Sequence, residues 1–346
     1  MARRKQTSKK KSGSRAAGLF LAVIFLLTVA AGGTAWMVFA PFTPVAETFV
    51  DIAPGSTTSL IGHQLEAAGV VRSRYVFDLL RLWKRGRLRA GEYRFDHPAS
   101  ANEVYARIAR GDTFTLTVTV PEGATIFDIA ARLEQAGLGP RQGFLDAARE
   151  QTALVVDMDR EARSLEGYLF PDTYHFARNA TPAQICATMV KRYRMVATQV
   201  GVKGNVHRIV TIASLVERET AVDAERPLVA SVFYNRLIKG MPLMTDPSVI
   251  YGLQLEGRWR GTIYQSDLQL NTAYNTYLHN GLPPGPVANP GAKSLHAAMF
   301  PAHSDYLYFV AAGADPKAGS HFASTLDEHN KNVAGYRQAV KKAGAR

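Results

Sequence analysis

The chain of 346 residues has a single cysteine, Cys186, which excludes any disulfide within it. Outside a reducing compartment such a protein must hold by its core alone. Beside Ile185 and Met189 on a helical stretch, this thiol reads as a small core residue. There is no H-E-x-x-H and no paired Cys-x-x-Cys, so a zinc centre has no ligand set. G-x-S-x-G, a Walker loop and G-x-G-x-x-G are missing too, which removes three common enzyme signatures. The nine histidines are scattered.

Acidic residues are absent from residues 1–46, which hold seven basic ones, Arg3, Arg4, Lys5, Lys9, Lys10, Lys11 and Arg15. Seven of the formal +12 charges sit there, leaving +5 for the rest. That mild excess gives no case for nucleic acid as a partner, although an anionic polymer or membrane surface fits it. Behind a basic tail (1–15), Ala16–Ala40 is 25 nearly continuous apolar residues, where about 20 cross an acyl core. The run exceeds a signal-peptide core and lacks a clear small-x-small cleavage site, so it reads as a retained transmembrane helix. The basic flank puts the N-terminus in the cytoplasm and everything after Pro41 outside the cytoplasmic (inner) membrane.

The remainder reads as α+β. A strand at FVDI, a helix ending at Gly69, a helix over 74–84, a strand at 91–95 and a helix from Ala101 to Gly111 form a small module over 41–112. Its opening recurs: IAPGSTTSLIGHQLEAAGV from Ile52 aligns with VPEGATIFDIAARLEQAGL from Val120 at an offset of 68, with Gly55, Leu65, Glu66 and Gly69 matching Gly123, Leu133, Glu134 and Gly137. This is either a shared strand-turn-helix habit or a duplicated βα unit. Thr113–Val120 alternates as a strand, and 139–200 reads as helical around the aromatic segment Glu166–Phe176, whose rings suit either a core or sugar stacking. Asn289-Pro290 reads as an N-cap opening a helix to Phe300. Asp305–Ala312 reads as a strand, and the residues after it as a terminal helix capped near Ser324 or Thr325.

The chemistry falls to carboxylates in HRIVTIASLVERETAVDAERPLVASVFYNRLIKG, two helices with an acidic junction. A carboxyl kept protonated by an apolar setting can give its proton to a glycosidic oxygen. Glu217 and Glu219 lie on opposite edges of the apolar face, and helical geometry alone does not choose between them. Both also read as solvated charges of a last turn.

The segments ASLVERETAVDAERPLVASVFYNRL, MTDPSVIYG, TAYNTYLHNGLPPGPVANPGAKSLHAA and YLYFVA, with GYLFPDTY before them, resemble the MltG/YceG-like family of endolytic murein transglycosylases. The resemblance implies a membrane span over 16–40 and a LysM-like module over 41–112. It further implies a mixed α/β catalytic domain over 113–346, in which 113–200 holds the second βα unit and 201–346 the catalytic core. It implies Glu219, the glutamate before Thr220, as general acid and then base. The cut would fall at MurNAc-GlcNAc bonds of nascent peptidoglycan and leave 1,6-anhydro ends without a cofactor. Glu217 would support it. Thr220, Asn235, Asp246, Tyr251, Tyr274, Asn275 and Tyr277 are the expected glycan contacts, with His321 and Asn330 closing the cleft. Expected partners are glycan strands, the membrane, and peptidoglycan polymerases or transpeptidases. A water-using muramidase and a non-catalytic peptidoglycan-binding scaffold are the alternatives.

Overall fold

In a computed structural model, residues 12–42, 44, 46–315 and 318–344 are described, and most of the basic tail lies outside them. The chain divides into two compact units, residues 1–115 and 116–346. The architecture is α+β, with three two-stranded antiparallel sheets among many helices.

The first unit opens with α1 (Ser12–Phe39), of which Ala17–Phe39 is long and apolar enough to cross a bilayer. The order β1 (Thr48–Ile52), α2 (Thr58–Ala67), α3 (Arg74–Lys84), β2 (Gly91–Phe95), α4 (Ala101–Arg110) follows. Alternation sends Val50 and Ile52 of β1 and Tyr93 and Phe95 of β2 inward, with Val50 opposite Tyr93. Leu65, Phe77, Leu80, Val104 and Ile108 close this core from the helices. Each such side chain contributes about 1.5–3 kcal/mol on burial. A capping box of Ser100 and Glu103 starts α4, and Gly111 (φ 79°) ends it.

The second unit begins with β3 (Leu116–Thr119), α5 (Ile126–Gln135), α6 (Arg141–Glu150) and β4 (Thr173–Phe176), and β3 pairs with β4. The repeat is therefore larger than a βα unit: both copies are β-α-α-β with antiparallel strands. Thr57 and Thr125 cap corresponding helices, and Gly55 and Gly123 take φ of 84° and 76°, a left-handed turn that favours glycine. The predicted strand from Thr113 shortens to four residues. In the aromatic segment Tyr168, Phe170, Tyr174 and Phe176 are all buried: Tyr168 packs edge-on against Tyr193, and Tyr174 stacks on Phe176. The core claims these rings.

Next come α7 (Pro182–Val200), α8 (Val206–Glu219), α9 (Arg226–Ile238), α10 (Asp246–Leu255), α11 (Ala292–Met299), β5 (Tyr308–Ala311), β6 (Ser320–Ala323) and α12 (Leu326–Gly344). Helix α8 is the axis: Ile209 to Val216 are all buried, and α9, α10 and α11 pack on it. Helix α12 starts at Leu326 with Thr325 Oγ1 accepting from Glu328 N, as the predicted cap requires, and residues 320–323 before it extend as β6 against β5, Phe322 lying opposite Phe309. One expectation is corrected. Asn289 does not cap α11, which begins after Gly291. Instead its fully buried amide accepts from Gly167 N and Leu169 N at 2.9 Å and donates to Ala124 O (2.9 Å) and Glu166 Oε1 (2.6 Å). It ties the Gly123 turn, the aromatic segment and the entry to α11 into one knot. Gly167 (φ 88°) permits the close approach, since a Cβ there would lie 2.6 Å from Pro286 Cγ.

Candidate active site

Helix α8 stops at Glu219 because Thr220 turns to extended backbone (φ −137°, ψ 134°). Thr220 Oγ1 accepts from Val222 N (3.0 Å) and donates to Glu225 Oε2 (3.3 Å). Glu225 in turn accepts from Ser320 N and Oγ at 2.6 and 3.0 Å, which fixes the junction to β6. Glu219, at the end of α8, lines two cavities. One, about 420 Å³, is walled by Arg236, Met244, Asp246, Tyr277, Tyr308 and His329 among others. The other, about 620 Å³, is walled by Glu122, Glu217, Arg218, Thr220, Arg226 and Ser320 among others. Met244 holds a left-handed backbone (φ 52°), strain of the kind that collects at functional sites.

Glu217 and Glu219 have opposite surroundings. Glu217 Oε1 accepts from Arg226 Nη1 at 2.8 Å and Oε2 from Gly291 N at 2.9 Å, so both oxygens are engaged. Among the described residues, the Glu219 carboxyl has no hydrogen bond or ion-pair partner. Its side chain is half-buried and reaches the cavities, but the protein packed around the carboxyl removes most of its water. That desolvation, reinforced by the charge of Asp246, pushes the Glu219 carboxyl up to about 7, against the opposing pull of Arg236 and Arg218. Arg236 is held off: Nε donates to Leu307 O (2.7 Å) and Nη1 to Leu243 O (2.8 Å), with the guanidinium 5.3 Å over the Tyr308 ring. Glu219 can therefore carry a proton near neutrality and face a ligand with it.

Asp246 and Tyr277 stand on the same wall, the Tyr277 hydroxyl donating to Asp246 Oδ1 at 2.7 Å. Four other expected contacts are not brought to these cavities. Asn235 lines a separate one and donates to Ser304 O and Tyr306 O. Asn275 is fully buried, its Nδ2 on Leu268 O and Leu270 O and its Oδ1 accepting from Tyr277 N. Tyr251 is buried, edge-on to Tyr274 at 5.0 Å, and hydrogen-bonds the buried Glu166, whose carboxyl burial pushes up to about 8. Tyr274 is half-buried against it. His321 and Asn330 are exposed and do not line the cavities. Sequence reasoning missed Arg236, Tyr308 and His329, although Arg236 and His329 stand next to Asn235 and Asn330 and Tyr308 falls within YLYFVA.

The YceG-like family profile matches residues 50–335, and the chain belongs to that family. It is 34% identical over 303 residues to the endolytic murein transglycosylase of Bacillus subtilis (strain 168), covering 82% of each chain. It is 30% identical over 321 residues to that of Streptococcus pneumoniae (strain R6), covering 82% of this chain but 57% of the streptococcal one. A 2.6 Å crystal structure of a yceG-like protein from Listeria monocytogenes aligns with a TM-score of 0.53 and 32% identity, over 82% of this chain and 98% of that one.

Proposed function

We propose that the chain is a membrane-anchored endolytic lytic transglycosylase of peptidoglycan, with Glu219 as its single acid and base. One observation carries this reading: Glu219 lines two cavities and its desolvated carboxyl has no ion-pair partner among the described residues, while its neighbour Glu217 is locked in an ion pair. The relatives named endolytic murein transglycosylases supply the substrate class.

Protonated Glu219 donates to the oxygen joining N-acetylmuramic acid to N-acetylglucosamine. The bond from that oxygen to the muramic anomeric carbon breaks, and positive charge develops on the carbon. The Glu219 carboxylate then takes the proton from the muramic 6-hydroxyl, whose oxygen bonds to the anomeric carbon. A 1,6-anhydro end and a free 4-hydroxyl result, and Glu219 regains its proton. A hydrolytic glycosidase needs a second carboxylate to activate water or act as nucleophile. An internal hydroxyl dispenses with one because its effective concentration is high. Asp246 and Tyr277 hold the sugar from the wall beside Glu219, while Asn235, Tyr251, Tyr274 and Asn275 keep that wall in place.

Anchoring by α1 would confine cutting to strands near the extracytoplasmic face of the cytoplasmic membrane, beside the polymerases and transpeptidases that make them. The test is digestion of glycan strands by the purified full chain, with mass spectrometry of the ends. Anhydro ends support the reading. Reducing ends, heavier by one water, would mean a muramidase, and binding without cleavage a scaffold.

A further inference from the structure

Helix α3 carries two apolar stripes where a module of this size needs one. Val76, Phe77 and Leu80 face the core and are buried. Tyr75, Leu79, Leu82 and Trp83, at i, i+4, i+7 and i+8, share another face and are 67, 47, 72 and 69% exposed. An outward stripe of that size on a small module marks an interaction surface.

We propose that this face is a lipid-binding seat, which rests on the reading of α1 as a membrane span: Tyr75, Leu79, Leu82 and Trp83 insert into the bilayer boundary at the C-terminal end of α1.

Continuity with α1 names lipid as the occupant. A cavity of about 540 Å³ is walled on one side by Ala31, Val38 and Phe39 of α1 and on the other by Leu79, Leu82 and Trp83 of α3. The attachment is fixed by Arg72, which donates to Ala40 O (2.9 Å) and Pro41 O (2.8 Å) and lies 4.4 Å over the Trp36 ring. Val38 is only 6% exposed, buried in the first unit's core. The depth of α3 therefore follows from that of α1.

At about 1.5 Å per residue, the 23 residues Ala17–Phe39 reach about 35 Å, a little more than an acyl core of about 30 Å. Ala31–Phe39 are the last turns of that span, so the α3 residues facing them stand where acyl chains give way to headgroups. Tryptophan and tyrosine favour that level.

Charge agrees. Between residues 72 and 90 the chain holds Arg72, Arg74, Arg81, Lys84, Arg85, Arg87 and Arg89 against one acid, Asp78. Basic residues bordering an apolar face match anionic headgroups.

The experiment places an environment-sensitive fluorophore on Leu82→Cys of the full chain, and separately on Phe25→Cys, in vesicles of phosphatidylcholine and phosphatidylglycerol. Both positions are exposed, and the native Cys186 is fully buried and stays unlabelled in the folded protein. The expected result is emission at 82 that is blue-shifted and quenched at least about twofold by lipids carrying a nitroxide near the headgroup, with 25 quenched best by a mid-chain nitroxide. Water-like, unquenched emission at 82 with 25 quenched would overturn the seat and leave the anchor standing. Blue-shifted emission at 82 that no lipid nitroxide quenches would put protein on this face and overturn lipid as its ligand. Absence of quenching at both positions would overturn the seat and the anchor together.

Discussion

Glu217 and Arg226 meet at 2.8 Å with their side chains 5 and 6% exposed, and this pair joins the end of α8 to the start of α9. Asp223 Oδ1 holds the same guanidinium at 3.1 Å, and Ser294 Oγ lies 2.5 Å from it. The first glutamate of the E-R-E-T segment is a brace, and the second is left for chemistry.

Removing the brace should damage folding before it damages catalysis. Glu217→Ala leaves a buried guanidinium short of its main partner, which costs about 3–5 kcal/mol. Thermal or urea unfolding measures the loss. Activity per folded molecule should stay within about tenfold of the parent, because no proton passes through Glu217. A variant as stable as the parent but inactive would make Glu217 a participant in the reaction.

The pH dependence of cleavage follows from the direction of the Glu219 shift. The acid must be protonated, so the rate should fall as pH rises through about 7, where burial and the Asp246 charge have placed it. Asp246→Asn removes one raising influence, so the descending limb should move to lower pH, by up to about one unit. A limb that stays in place would separate Asp246 from the acid, and a limb moving alkaline would contradict the electrostatics.

Stability should depend on pH through Glu166. Its carboxyl lies near 4.5 when exposed and is pushed up to about 8 in the folded chain by burial. Between those values the folded state holds a proton that the unfolded state has released. Stability is therefore fully present below about 4.5 and falls as pH rises towards about 8, by about 1.4 kcal/mol per unit. Glu219 acts in the same direction up to about 7. Melting temperatures at about pH 5 and about pH 8 check the slope, and Glu166→Gln should flatten it. An unchanged slope in that variant would assign it to other groups.

How much of this was legible in the sequence depended on how local the cause was. Helix α3 and strand β2 fall on their predicted bounds, because periodicity and flanking turns decide them. Strand β6 was not legible: four residues extend there only because β5 lies alongside. Asn289 was misread because Asn-Pro favours a cap, whereas its partners at Gly167, Leu169, Ala124 and Glu166 are more than 100 positions away. Likewise Asn275 and Tyr251 have the chemistry of sugar contacts, and only the fold spends them on backbone carbonyls and Glu166. The helical wheel could not separate Glu217 from Glu219, because the Arg226 and Gly291 contacts that do so come from other elements.

The most direct measurement exchanges one oxygen of one carboxyl for nitrogen. Glu219→Gln keeps the size of the side chain and removes its ability to give or take a proton. The full chain carrying it should fold, bind glycan strands, and release no 1,6-anhydro ends by mass spectrometry, a loss of at least about a thousandfold. Anhydro ends formed at anything near the parental rate would contradict the account.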